Sequence, residues 1–202
     1  MAELTTGTYS VALTAVRPPS SSRFWAIPII GILVKTIILI PHFIILYVLG
    51  IVVNVAQLVI WVPVLFMGGY PDWAYSLVAG YLRWAARVAI YFLGVSDTYP
   101  PFSMDAPGDV FIAKPASSNQ AFAIPIFGLL ARLILLIPHF VVLFGIFYAI
   151  YICQLVIWIP VLFAGRYPGW AFALSAGLVQ WYVRVYAYVY GLTDTYPPFP
   201  LI

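Results

Sequence analysis

Residues 24–66 read FWAIPIIGILVKTIILIPHFIILYVLGIVVNVAQLVIWVPVLF, and this stretch decides the fold. Lys35 is its only Lys, Arg, Asp or Glu. As one helix the segment would extend about 65 Å at 1.5 Å per residue, roughly twice the hydrocarbon thickness of a bilayer. A break is therefore expected. Proline lacks an amide donor and disfavours helix in the residue before it, so Pro41 is the expected break point. Residues 24–40 then read as an interfacial or half-inserted helix, and 42–66 as a membrane span. Gly68, Gly69 and Pro71 mark a turn. Residues 73–94 read as the return span, ending at Gly94.

The same pattern occurs twice. An offset of 97 aligns 13–102 with 110–199 without a gap, and 44 of these 90 positions are identical. AIPIIGILVKTIILIPHF at 26–43 matches AIPIFGLLARLILLIPHF at 123–140. QLVIWVPVLF at 57–66 matches QLVIWIPVLF at 154–163, and DTYPPF occurs at 97–102 and 194–199. Repeat 1 with its N-terminal extension occupies 1–102, and repeat 2 with its joining segment occupies 103–202. The second copy of the helices is expected at 121–137, 139–163 and 170–191.

Composition agrees with a lipid environment. Hydrophobic residues make up 64% of the 202 residues and charged residues 7%, so a water-exposed surface cannot be covered. The net charge of +3 is too small and dispersed for nucleic-acid binding. A single cysteine, Cys153, excludes an internal disulfide. The first 25 residues lack a basic segment followed by an apolar core, so no cleavable signal is expected.

The motifs resemble a bacterial membrane family known only as a domain of unknown function. They are Pro41-His42 and Pro138-His139, Arg166-Tyr167-Pro168, the helices carrying Arg87 and Arg184, and the two DTYPPF ends. Repeat 1 departs in having Gly69 before Tyr70-Pro71. The resemblance implies a multi-pass bacterial inner-membrane protein and no known activity.

The expected fold is an all-α integral membrane protein of two tandem repeats. Four spans are favoured over six, with both repeats pointing the same way. Both termini and the joint then share the face that holds Arg17, Arg23, Lys35, Lys114 and Arg132, and the positive-inside rule makes that face cytoplasmic. Alternation over Tyr9–Ala15 and Asp109–Ala113 suggests two short strands there.

Polar residues within the spans are the candidate site. Asn54 and Gln57 share a helical stripe, as do Arg83 and Arg87 on the return helix. Gln57 and Arg83 are equidistant from Tyr70, and Gln154 and Gln180 from Tyr167, so each pair is expected side by side. Arg87 and Arg184 are expected to snorkel to lipid phosphate, with Trp84 and Tyr91 facing lipid. These groups are read as helix packing or, alternatively, a site for lipid or anion. His42 and His139 follow prolines at expected helix starts and are read as caps, with haem or pigment ligation the remote alternative. No catalytic constellation is visible. The expected function is a non-catalytic structural or accessory subunit that packs with other membrane subunits or itself, without a cofactor. The alternative is a small channel or carrier for an ion, anion or lipid.

Overall fold

The computed structural model describes residues 10–27, 29–105, 110–124 and 126–199. Among them are two short strands, β1 (Val11–Leu13) and β2 (Val110–Ile112), and five α-helices. Repeat 1 supplies α1 (Ile30–Met67) and α2 (Asp72–Phe92). Repeat 2 supplies α3 (Phe127–Leu135), α4 (Ile137–Ala164) and α5 (Gly169–Val189). One 3-10 turn leads into each repeat, Arg23–Ala26 and Gln120–Ala123. Two helices, α1 and Ile137–Gln154 of α4, are long and apolar enough to cross a membrane.

Pro41 does not break the helix. α1 runs 38 residues through it. The interruption predicted for both repeats appears only in the second, at Leu136, two residues before Pro138. One proline removes one ladder bond, which a long helix tolerates when a nearby group satisfies the freed backbone. The Tyr99 hydroxyl donates to the Ile38 carbonyl at 3.2 Å, next to Ile37, whose carbonyl is the one that Pro41 frees. Tyr196 does the same at Leu135, three before Pro138, at 2.9 Å.

The two repeats are inverted relative to each other, which corrects the expectation that they point the same way. Tyr70, in the α1–α2 turn, donates to the carbonyl of Tyr190 at the end of α5. Tyr167, in the α4–α5 turn, donates to the carbonyl of Leu93 at the end of α2. Each turn therefore meets the far end of the other repeat. The strands obey the same approximate twofold: they pair antiparallel, and Leu13 faces Val110, its own counterpart. A turn tyrosine needs a free carbonyl, and a helix C-terminus offers several. Inversion supplies both.

The helices pack in the order α1–α2–α5–α4, with α2 and α5 central. Extended chain covers the central pair. Tyr99 packs on Tyr91, Phe102 on Trp84, Met104 against Gly80, and the Ile112 carbonyl accepts from Tyr75. Residues 99–105 and 110–112 thus lie along α2 from its C-terminal to its N-terminal end, and Asp105 is exposed. β1 lies along α5, where Arg184 Nε donates to the Val11 carbonyl at 3.4 Å. The strands expected over Tyr9–Ala15 and Asp109–Ala113 match β1 and β2, although Tyr9 and Asp109 lie outside the described residues. So do the terminal positions 1–9 and 200–202.

α1 buries a narrow stripe that includes Lys35, Leu39, His42, Val53, Ile60 and Val64. The rest of its circumference is exposed and apolar, from Ile32 and Ile37 to Val59 and Phe66. α4 likewise exposes Val141, Phe144, Ile152 and Phe163. A helix apolar all round is suited to immersion in lipid or protein.

Candidate functional site

The shared motifs meet in joints, each built twice. In the first joint His42 is fully buried. Trp84 Nε1 donates to its Nδ1 at 3.0 Å. Phe102 stacks on the imidazole, with centroids 3.9 Å apart and planes at 10°, and Tyr99 packs on its edge. Repeat 2 repeats the arrangement with Trp181 and His139 at 2.9 Å, Phe199 stacked at 4.1 Å, and Tyr196. The Pro-His and Tyr-Pro-Pro-Phe motifs are two halves of one contact. Proline opens the helical turn, tyrosine fills it, and phenylalanine covers the histidine.

This geometry answers the haem and pigment reading. An indole N–H can only donate, so Nδ1 must be the unprotonated nitrogen and Nε2 carries the proton. A metal ligand needs the opposite: a lone pair on Nε2, with Nδ1–H donating to an outer partner. Nε2 of both histidines is buried without a hydrogen-bond partner among the described residues. The imidazoles do not fit as ligands in this arrangement. Replacing Trp84 with Phe leaves Nδ1 unpaired as well. We expect it to cost about 1–3 kcal/mol, read as a lowered denaturation midpoint in detergent, with Trp181→Phe matching it.

The second joint is a helix C-terminus held from two sides. Lys35 Nζ donates to the Tyr91 carbonyl in the last turn of α2 at 3.0 Å. Its charge lies 5.5 Å from the Trp25 ring centroid and 4.9 Å from that of Tyr91. Arg132 donates to the Tyr188 carbonyl of α5 and sits between the Phe122 and Tyr188 rings, at 4.8 Å from each. A cation there opposes the negative end of the helix dipole, and the rings add cation–π attraction. The turn tyrosine of the other repeat completes the cap. Burial pushes the Tyr70 hydroxyl up to about 12 and raises that of Tyr167, so both stay protonated donors near neutral pH. Tyr70→Phe should leave the buried Tyr190 carbonyl without this donor and lower stability by about 1–3 kcal/mol in a chemical denaturation series.

The polar residues singled out in the sequence are held differently from expectation. Among the described residues no bond joins Gln57 to Arg83. Gln57 Nε2 lies 3.4 Å from the Tyr70 hydroxyl. Gln154 Nε2 donates to Leu93 O at 3.1 Å and to the Tyr167 hydroxyl at 3.2 Å. Asn54 donates to Gly50 O within its own helix. Arg83 turns to another face, where Nη2 donates to the Tyr75 hydroxyl at 3.0 Å and reaches the Ile112 carbonyl. Equal distance from a turn sets depth, and helical rotation then separates the two side chains. Gln180 is buried in α5. Arg87 and Arg184 do not snorkel; both are buried, against Ser103 O and Val11 O. Trp84 and Tyr91, expected to face lipid, are core residues.

Two equivalent cavities lie beside these caps. The first, about 340 Å³, is lined by Ser22, Lys35, Asp97, Gln154, Trp158 and Tyr167 among others. The second, about 380 Å³, is lined by the counterparts Asn119, Arg132, Gln57, Trp61 and Tyr70. Each combines one repeat's lead-in segment with the other repeat's long helix. The sequence reading overlooked Lys35 and Arg132 as site residues. Their signal was a cation kept at the same place in both copies of an otherwise apolar run.

No curated protein and no solved structure matches the chain. The model of a domain of unknown function, DUF4389, matches residues 30–104 and again 128–200. With both copies aligned to it over most of its length, the chain is a tandem member of the DUF4389 family.

Proposed function

We propose that this protein is a non-catalytic, membrane-embedded scaffold that acts by occupying a place in an assembly, with itself or with other membrane subunits. One observation carries the reading. The side chains that might have performed chemistry are used as joints: histidine on tryptophan, cation on helix end, turn tyrosine on the opposite repeat. The outward surface of α1 and α4 is apolar. Among the described residues no group of three or more His, Cys, Asp and Glu is clustered for a metal. Deleting the gene should lower the amount or stability of a partner complex without abolishing one specific reaction. Native electrophoresis with partner quantification in a deletion strain tests this. A monomer that carries solute or turns over substrate in liposomes would overturn it.

The inverted fold also bears on how the protein sits in the bilayer. If α2 and α5 crossed it, the exposed Asp105, packed beside Met104 near the middle of α2, would lie at hydrocarbon depth. Open strand edges and lipid-exposed irregular chain are not tolerated there. Exposed polar groups occur along the whole covering layer, from Asp72 and Lys114 through Asp105 and Thr14 to Arg17. We therefore favour insertion from one side: the extended layer in water and headgroups, α1 and α4 among acyl chains. In that orientation the approximate twofold lies along the membrane normal, and both repeats reach the same depth. The multi-pass expectation of four spans, two hairpins pointing the same way, gives way to this reading.

A further inference from the structure

The two cavities are of similar volume and differ in how the cation in each is paired. At the second, Arg132 lines the cavity and its Nη2 forms an ion pair with Asp194 Oδ1, which lies outside the lining. In the first, the equivalent residues Lys35 and Asp97 form no ion pair, although Asp97 is close enough to act on the Lys35 charge. Lysine is a compact point charge, whereas the longer, forked guanidinium reaches both the helix end and the carboxylate. Lys35 is 5% exposed and uses one of its three N–H donors on Tyr91 O. Asp97 Oδ2 accepts from Ser22 N at 2.7 Å, and Oδ1 has no protein donor among the described residues. The first cavity thus holds a separated cation and anion. In the second, the lining cation Arg132 is already paired with a carboxylate outside the lining.

A separated pair in a membrane protein fits a ligand with both charges. Around the polar groups the wall is apolar, made by Ile29, Ile32, Leu33 and Trp158, and the first three are exposed on the surface that continues along α1. The volume is roughly ten times the share of one water in the liquid. It accommodates a phosphoethanolamine group with the start of its glycerol, and acyl chains continue over the apolar wall. We propose that the Lys35–Asp97 cavity binds the headgroup of one phosphatidylethanolamine-type lipid, its phosphodiester on Lys35 and its ammonium on Asp97, and that pairing of Arg132 with Asp194 leaves the equivalent cavity without a separated cation and anion for that headgroup. This rests on the membrane-embedded reading above and goes beyond it. An acidic headgroup would bring no partner for Asp97. A choline headgroup would bring a charge with no N–H to donate.

Reciprocal exchange of the two cations provides the test. The full chain, purified in mild detergent, is mixed with equal amounts of phosphatidylethanolamine, phosphatidylglycerol and phosphatidylcholine, and native mass spectrometry counts the lipid retained. The unaltered chain should keep one phosphatidylethanolamine, at least about tenfold over the other two. Lys35→Arg should lose it, because the arginine can close on Asp97 as Arg132 does on Asp194. Arg132→Lys should raise the count to two. Asp97→Asn should abolish the preference over phosphatidylglycerol. Soluble glycerophosphoethanolamine should neither bind nor displace the lipid. Its binding without lipid would mean a small-solute site and would overturn the proposal. So would an equal preference for phosphatidylglycerol in the unaltered chain, or counts unchanged by both cation exchanges. The headgroup preference of the unaltered chain decides the matter even if a variant fails to fold. Flotation with liposomes reads membrane embedding separately: a chain that floats but shows no preference leaves the scaffold reading standing and removes this one.

Discussion

Cysteines placed one at a time at positions 72, 105 and 166, in a chain carrying Cys153→Ser, will all react with a membrane-impermeant maleimide added to one and the same side. Asp72, Asp105 and Arg166 are exposed, so labelling reports access rather than packing. They mark the α1–α2 turn, the middle of the covering chain and the α4–α5 turn. Three arrangements give three patterns. Four parallel spans place 72 and 166 together and 105 on the opposite face. An inverted pair of spanning hairpins places 72 and 166 on opposite faces. Insertion from one side labels all three together. The difference is all-or-none, because a carboxylate at the bilayer centre costs about 2.5–3.5 kcal/mol even on the lenient insertion scale. Labelling of 72 and 166 from opposite faces would sink the one-sided arrangement. It would require the extended layer to face a partner or a water-filled cavity.

Much of this architecture was legible in the sequence because it is local. The repeat, the turns at 68–71 and 165–168, and the helices on either side follow from apolar runs punctuated by Gly and Pro. The strand pair followed from alternation. Orientation was not legible. A hairpin reads the same whether its neighbour is parallel or inverted, and the deciding contacts, Tyr70 to Tyr190 and Tyr167 to Leu93, join residues far apart in sequence. The lysine and arginine bias misled for a related reason: it assumed that charged segments mark membrane faces, whereas Lys35 and Arg132 cap helices. The proline break appears in one copy only, although Tyr99 and Tyr196 make the same contact at the two proline turns from 61 residues away, so these contacts do not decide it. One clue to the histidine joint was present. Pro-His and Tyr-Pro-Pro-Phe each survive in both copies, while helix residues 44–56 and 141–153 just after Pro-His have diverged. Two motifs kept together suggest contact, and a contact of this kind explains them without a ligand.

Gly31→Ala and Gly128→Ala should be the most damaging single substitutions in the helical layer, each lowering stability by about 3 kcal/mol or more. A Cβ at Gly31 would lie 2.1 Å from the Trp25 carbonyl oxygen, and one at Gly128 would lie 2.0 Å from that of Phe122. These are backbone atoms, so no side-chain rotation relieves the clash. The lead-in turn cannot easily open either. Gly31 N donates to Ile27 O at 2.9 Å and Gly128 N to Ile124 O at 2.8 Å. Ile29 and Ile126 are held at φ 63° and 64°, where a β-branched residue is strained. The same strained turn in both repeats shows that the surrounding contacts over-determine it. The same chemical change gives the opposite sign elsewhere. A Cβ at Gly145, inside α4, meets nothing within 4 Å, so Gly145→Ala should gain about 0.5–1 kcal/mol from helix propensity. Thermal denaturation followed by circular dichroism in one detergent compares the three variants directly. If Gly31→Ala melts with the unaltered chain, the close approach of the turn to α1 is wrong. The placement of Lys35 four residues later, and with it the cap on α2, would then need rebuilding.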